Sequence, residues 1–116
     1  MAIVMRTDLG MSKGKLCAQA AHGALSAYRY ALEGSGELRG IAKAWEGSGQ
    51  TKVVLRVDSE AGLLALREAG RAKGLPVGLV RDAGRTEVAP GTITCLALGP
   101  GSPKDMEEVT GHLKLL

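Results

Sequence analysis

Polar side chains at helical spacing follow the first apolar segment of this chain. Ala2–Met5 is a short apolar run of strand length, and Asp8 and Gly10 end it with turn chemistry. Ser12 is a good N-cap for the following stretch, which is rich in Ala, Leu and Lys. One face of the predicted helix carries five residues at steps of four, three, four and three: Lys15, Gln19, His22, Ser26 and Arg29. Such a face, beginning where a strand's carboxyl end meets a helix, is a usual place for a site in α/β proteins.

A second polar segment, Asp82–Thr86, directly follows another predicted strand. An ordinary polar turn contains the same residue types, so composition alone does not separate a site from a turn. If the first and third strands are parallel, Asp82 and Lys15 emerge at the same sheet edge, and the lysine keeps the carboxylate ionised. The alternative is a surface ion pair worth under roughly 1 kcal/mol. Four residues would add donors around the carboxylate: Arg85, Thr86, Thr92 and Thr94.

An alternation of strand and helix patterns positions these segments. The predicted strands are Ala2–Thr7, Thr51–Val57, Val77–Arg81 and Thr92–Leu98. The predicted helices are Ser12–Leu32, Leu38–Trp45, a third from a cap at Asp58 or Ser59 to Lys73, and Lys104–Val109. Two β-helix-β passages imply right-handed crossovers and parallel pairing, and the helix-free join of the last two strands favours an antiparallel one. The sequence therefore predicts an α/β fold, a three-layer α/β/α domain around a small mixed sheet.

The first helix also has an apolar stripe made largely of small residues. Its members are Leu16, Ala20, Gly23, Ala27 and Ala31, with Cys17, Ala24 and Tyr28 beside them. Small side chains would let this helix lie close against the sheet. The two cysteines, Cys17 and Cys95, are expected to be free and buried.

Length and composition indicate one folded domain spanning residues 1–116, with hydrophobic residues at 45% and no Phe. The net charge of +3 and the pI near 9.1 fit a polyanionic partner or an ordinary surface bias equally well. The chain has neither a secretory signal pattern nor an apolar run long enough to cross a bilayer, so a reducing, intracellular location is expected.

Several other chemistries do not fit the pattern. Two cysteines and two histidines without metal-ligand spacing give no case for a metal site. Gly10–Lys15 lacks the spacing and ending of a phosphate-binding loop, which argues against nucleotide hydrolysis. Cys17 and His22 lie five positions apart on a helix and point over different faces, so they are not a cysteine-hydrolase pair. A structural role or one facing a polyanionic partner is favoured for His22 over that of a base, and a structural role for His112.

Basic residues are spread through the polar segments. Those that would contact the phosphates of a polyanionic partner are Lys13, Lys15, Arg29, Lys43, Arg81 and Arg85. Each by itself also fits a solvated surface charge.

Four distinctive segments occur in order: RTDLGMSKGKLCAQAAHGA, GQTKVVLRV, DAGRTEVAPGTITCLALGP and VTGHLKLL. Together they cover nearly all of the chain and resemble a peptidyl-tRNA hydrolase of the second type, the form typical of archaea and eukaryotes. Two positions depart from that resemblance, because Glu87 stands where glutamine is more usual and Cys17 where a small apolar residue is. The chain also lacks the N-terminal membrane-anchor extension of animal members, which favours a soluble form.

The resemblance implies an enzyme that hydrolyses the ester joining a peptide to the 3′-terminal ribose of tRNA and so recycles tRNA in translation. It also implies a four-stranded mixed sheet with helices on both faces, no metal or organic cofactor, a homodimer and a cytoplasmic location. The matching catalytic positions are Lys15, Gln19, Asp82, Thr86 and Thr94. Further contacts to the substrate or its RNA are expected from Lys13, His22, Arg85 and Thr92. Two other hypotheses on this scaffold are a catalytically silent RNA-binding or signalling module and an adaptor that works through its dimer surface.

Ester hydrolysis requires an aimed water, a stabilised oxyanion and a proton for the leaving ribose oxygen. The hypothesis is that Asp82, ionised by Lys15, orients or partly deprotonates the water. Lys15, with Gln19 or a threonine hydroxyl, would stabilise the oxyanion, and Thr86 and Thr94 would position the water or the terminal adenosine. Because such an aspartate is a weak base, most of the rate would come from positioning and electrostatics.

Overall fold

The computed structural model describes residues 1–116, in four helices and four strands. In chain order they are β1 (Ala2–Arg6), α1 (Lys13–Glu33), α2 (Gly36–Gly47), β2 (Val53–Val57), α3 (Glu60–Ala72), β3 (Val77–Arg81), β4 (Ile93–Leu98) and α4 (Pro103–Thr110). Every predicted element is present, and the observed ends lie within two residues of the predicted ones. None of the four helices combines the length and the apolar character that crossing a bilayer requires.

A serine starts each of the four helices. The hydroxyls of Ser12, Ser35, Ser59 and Ser102 accept hydrogen bonds from backbone N–H groups three residues further on, at 3.3, 3.3, 3.0 and 3.1 Å. Each of these bonds satisfies one backbone donor that the first helical turn leaves without a partner. The N-cap at Ser12 also fixes where α1 begins relative to the polar face that it carries.

The sheet has the strand order β2-β1-β4-β3. β1 pairs with β2 in parallel, and β4 runs antiparallel to both β1 and β3. β1 and β3 therefore point the same way, as the predicted meeting of Lys15 and Asp82 requires. The antiparallel pairing of the last two strands is confirmed. The expected parallel pairing is confirmed for β1 and β2 but wrong for β2 and β3, because β1 and β4 lie between them.

Helices cover both faces of the sheet, so the predicted three-layer α/β/α architecture with a four-stranded mixed sheet is confirmed. Successive side chains of β1 alternate between the two faces. Ala2 and Val4 join a core cluster with residues of α3 and α4, whereas Ile3 and Met5 join a second cluster with residues of α1.

The helix α1 lies close to β3, as its small residues led us to expect. Its buried positions follow one row at steps of four, namely Gln19, Gly23, Ala27 and Ala31. A Cβ on Gly78 of β3 would lie 2.7 Å from the backbone nitrogen of Ala27, so helix and strand touch backbone to backbone. Both cysteines are free, but Cys17 is exposed and only Cys95 is buried. The expected burial of Cys17 is wrong because the buried strip of α1 is too narrow to include it.

The two edges of the sheet differ. The C-terminal segment pairs with the outer edge of β2 through a bridge between Leu55 and Leu115. The Arg56 N–H donates to the Lys114 carbonyl and the Leu116 N–H to the Val54 carbonyl, each at 3.0 Å. This pairing, which was not predicted from the sequence, covers the β2 edge. No backbone segment pairs with the outer edge of β3.

Candidate active site

Asp82 directly follows β3 and begins a loop that runs to Gly91. Its N–H donates to the Thr92 carbonyl at 2.8 Å and its carbonyl accepts from the Gly91 N–H at 2.7 Å, so the base of the loop is closed. Its carboxylate Oδ2 accepts from the Gly84 N–H at 2.6 Å. Gly84 has a backbone φ of +77°, which residues with a side chain rarely adopt. A Cβ at this position would also overlap Pro90. The local sequence thus holds the carboxylate in one orientation.

Two side chains of α1 reach this carboxylate from one turn apart. Lys15 Nζ donates to Asp82 Oδ1 and to the Thr86 hydroxyl, and Gln19 Nε2 donates to the same Oδ1 at 2.8 Å. The side chains of Lys15 and Asp82 are only 10% and 7% exposed. The predicted approach of Lys15 to Asp82 is therefore present as a shielded, hydrogen-bonded pair and not as a loose surface contact.

This environment lowers the pKa of Asp82 below its usual value. The hydrogen bond from Lys15 is the largest cause, and the Gly84 N–H, the charge of Lys15 and the amide of Gln19 add to it. Desolvation of the carboxylate opposes the shift without reversing it. Asp82 therefore stays ionised at neutral and mildly acidic pH.

Two buried polar atoms near the pair have no hydrogen-bond partner in the chain: Gln19 Oε1 and Thr94 Oγ1. Gln19 is 2% exposed and Thr94 is fully buried. Thr94 is the extra residue of a β-bulge, because Val80 pairs with Cys95 while Arg81 pairs with Ile93. The hydroxyl of Thr92, which was expected near the carboxylate, instead donates to the Ala89 carbonyl at 2.7 Å.

An open cleft of about 880 Å³ lies over the cluster. Four of the predicted catalytic residues line it, namely Lys15, Gln19, Asp82 and Thr86. His22 and Arg85, predicted to contact substrate, are exposed at its walls. Lys13, Thr92 and Thr94 do not line the cleft: Lys13 is exposed on α1, Thr92 is partly buried just before β4, and Thr94 is buried within β4.

The other basic residues are distributed unevenly around the cleft. Arg81 lines it beside Arg85, and Arg29 lies in an adjoining hollow, 3.9 Å from Glu33. Lys43 lies on α2, outside the cleft, and is 3.7 Å from Glu46. Contact with phosphates therefore fits Arg81, at the end of β3, and Arg85, in the following loop, better than it fits Lys43.

Glu87 has a contact that sequence reasoning missed. Its Oε1 accepts from the Ser12 N–H at 3.1 Å, and its Oε2 accepts from the Ser12 hydroxyl at 3.0 Å. The positive end of α1 attracts a carboxylate, so this contact ties the loop to the helix. Glu87 was noted only as a departure from glutamine. The sequence signal for this contact was an acidic side chain that could bind the N-terminus of the helix predicted to begin at Ser12.

No three His, Cys, Asp or Glu side chains come together in an arrangement that would hold a metal ion.

Comparison with known proteins shows the family. The family described as Peptidyl-tRNA hydrolase PTH2 matches residues 1–116. A peptidyl-tRNA hydrolase of Halobacterium salinarum is 46% identical over 113 residues, 97% of this chain and 96% of the relative. One of Thermococcus onnurineus is 47% identical over 114 residues, 98% of this chain and 94% of the relative. The mouse protein named peptidyl-tRNA hydrolase 2, mitochondrial, is 46% identical over 99% of this chain and 62% of its own length. The chain belongs to the peptidyl-tRNA hydrolase family PTH2.

Proposed function

We propose that this protein hydrolyses the ester between a peptide and the 3′-terminal ribose of tRNA, and so recycles tRNA from prematurely released chains. Membership of the family supports this reaction. The single observation that carries it is the cluster at the base of the cleft, in which Lys15, Gln19 and Thr86 are held by hydrogen bonds around an ionised Asp82. Groups that can transfer a proton and groups that can stabilise negative charge are therefore in contact with one another at the base of the cleft.

In the proposed mechanism, Lys15 stabilises the negative charge that develops on the ester carbonyl oxygen. A lysine ammonium has three N–H donors. Asp82 and Thr86 take two of them, which leaves one for the oxyanion. Because the ammonium is already oriented by its two partners, it does not have to reorganise as the charge forms.

The attacking water binds to an acceptor atom that the chain leaves open. Asp82 Oδ1 already accepts two hydrogen bonds, whereas Oδ2 accepts one, from Gly84. A carboxylate oxygen can accept two, so Oδ2 retains an acceptor position. Oδ2 would orient the water and receive its proton as the new bond to the carbonyl carbon forms, while the Gln19 amide N–H holds Oδ1. That proton then passes to the ribose oxygen as the ester bond breaks.

The remaining proposed site residues position the substrate. The Thr86 hydroxyl accepts from Lys15, so its own proton is free to donate to the leaving side of the ester. Thr94 is the extra residue of the bulge beside Arg81, and we assign its unpartnered hydroxyl a role in positioning the water or Gln19. We assign His22 and Arg85 to contacts with the terminal nucleotides, and Lys13 and Thr92 to peripheral contacts or support of the loop.

No step of this mechanism calls on a cofactor. We further propose that residues 1–116 act as one domain, that the protein works as a homodimer, and that it acts in the cytoplasm. The name of the mouse relative places that protein in mitochondria.

Release of free tRNA from N-acetyl-aminoacyl-tRNA, without added metal, tests the proposal. We expect turnover by the parent and a loss of about 10²–10³-fold in the Asp82→Ala variant with the fold intact by circular dichroism. An Asp58→Ala variant is the matched control, because it removes an exposed carboxylate outside the cleft. Absence of turnover with salt-sensitive tRNA binding would instead support the silent RNA-binding module.

A further inference from the structure

The free edge of β3 leads directly into the cleft. β3 is an edge strand, and Asp82 is the residue after it. Exposed edges are usually covered, since their unpaired N–H and C=O groups recruit other strands. In this protein the C-terminal segment covers the opposite edge, at β2, while the β3 edge has no partner in the chain.

The pairing with β4 determines which backbone groups of β3 face outward. At one end the Pro76 carbonyl accepts from the Gly99 N–H, and at the other the Asp82 N–H donates to the Thr92 carbonyl. Backbone groups alternate in direction along a strand, so the even-numbered residues point to β4. The N–H and C=O groups of Val77, Leu79 and Arg81 therefore point outward.

Hollows lie beside the unpaired edge of β3. Leu79 lines the main cleft on one side and a hollow of about 470 Å³ on the other. Val77 lines that second hollow and also one of about 390 Å³ against α1. Open hollows thus border the path along β3 from Val77 to the cleft that holds the reactive cluster.

We propose that the peptide part of the substrate adds to this edge as a fifth strand. The inference rests on the proposed function, because the ester fixes the peptide's carboxyl end beside Asp82. A peptide that runs back from there toward Val77 is parallel to β3. The path spans about 13 Å and accepts about five residues. Main-chain pairing holds a peptide without reading its side chains, which suits an enzyme whose substrates end in any sequence.

Parallel pairing has a signature with a period of two residues. Each outward residue of β3 bonds to two peptide residues that are two positions apart, and the peptide residue between them bonds to nothing on β3. N-methylation of alternate peptide bonds should therefore weaken binding, whereas N-methylation of those between should not. Loss of the hydrogen bond from each methylated N–H should raise KM by about three- to tenfold.

The test measures KM and kcat for tRNA carrying peptides of one to seven residues, with single N-methyl groups placed in turn. We expect KM to fall with length until about five residues and to rise only for alternate N-methyl positions. A KM independent of length, or equally sensitive at every position, would overturn the strand addition. Lack of turnover with every substrate would instead overturn the proposed function.

A pair of variants at Leu79 provides a second measurement. Leu79→Pro removes an outward N–H without removing a bond to β4, and Leu79→Ala trims the side chain but keeps that N–H. We expect the kcat/KM ratio of pentapeptidyl to N-acetyl-aminoacyl substrate to fall about three- to tenfold in the proline variant only. Equal ratios in both variants would contradict the proposal. If the proline variant left the kcat/KM ratio unchanged but altered the oligomeric state in solution, the edge would pair with a second copy of the chain instead.

Discussion

Lys15 and Asp82 are separated by 67 positions in the chain, yet they form a hydrogen-bonded ion pair whose side chains are 10% and 7% exposed. The first belongs to the helix after β1, and the second begins the loop after β3. Their meeting depends on the common direction of these two strands and on the close contact of α1 with β3. Most of the expected behaviour of the protein follows from this arrangement.

The low pKa of Asp82 gives a definite pH dependence of stability. An Asp whose pKa is lower when folded stabilises the folded state above its unfolded pKa of about 3.9, and this contribution is lost as pH falls through the folded value. We therefore expect Asp82→Asn to lower the free energy of unfolding at about pH 7 and to lower it by a smaller amount near pH 3, below the unfolded pKa. Urea denaturation at both pH values measures this. An equal loss at both would contradict the ion pair as its source.

Removal of the Glu87 carboxylate should loosen the loop. Glu87→Ala leaves the Ser12 N–H without its partner at the start of α1, so we expect about 1 kcal/mol of lost stability and a higher KM. Glu87→Gln is the control, because it keeps an oxygen that can accept from Ser12. Urea denaturation and steady-state kinetics measure both effects. If the alanine variant matched the parent in stability and KM, the contact would have no positioning role.

The close packing of α1 on β3 predicts a strong effect of a single methyl group. An alanine at Gly78 would bring its Cβ to 2.7 Å from backbone atoms of α1, so we expect a loss of about 2 kcal/mol. Gly40→Ala is the matched control in α2, where nothing lies within 4 Å, and it should add roughly 0.5–1 kcal/mol. Thermal or urea unfolding distinguishes the two. A tolerated alanine at Gly78 would mean that the helix is free to shift.

The two thiols should differ sharply in reactivity. Burial raises the pKa of Cys95 to about 12, so it stays a neutral thiol, whereas Cys17 is exposed on α1. We expect a maleimide to label one site per native chain and both sites after unfolding in guanidinium. The Cys17→Ser variant should show no fast labelling. Rapid native labelling of that variant would contradict the burial of Cys95.

The sequence predicted the elements well because their local signals agree. The predicted caps at Ser12 and at Asp58 or Ser59, together with the glycines and prolines of the turns, placed the helix ends within two residues of those observed. The meeting of Lys15 and Asp82 was predicted from a polar helix face, on the condition that the first and third strands are parallel. Gln19 nevertheless falls on that polar face and is buried at 2% exposure, because it also begins the row of α1 that continues through Gly23 and Ala27 and is buried. Periodicity describes one helix and not what lies across from it.

The long-range pairings between strands could not be predicted from local sequence patterns. In the sheet, β4 lies between β1 and β3, so β2 and β3 are not neighbours. No hydrophobic pattern in the sequence specifies this strand order. The pairing of Leu115 with Leu55 involves a tail too short to show strand alternation. The bulge at Thr94 and the turn of the Thr92 hydroxyl toward Ala89 arise from loop closure. Such features are set by tertiary contacts.

A double-mutant cycle on Lys15 and Asp82 tests the central claim most directly. It measures kcat for tRNA release from N-acetyl-aminoacyl-tRNA by the parent, Lys15→Met, Asp82→Asn and the double variant. Because the two groups act as one charge pair, we expect each single change to lower kcat by about 10²–10³-fold and the double change to be scarcely slower. Losses that multiply in the double variant, or full activity in Asp82→Asn, would contradict the account.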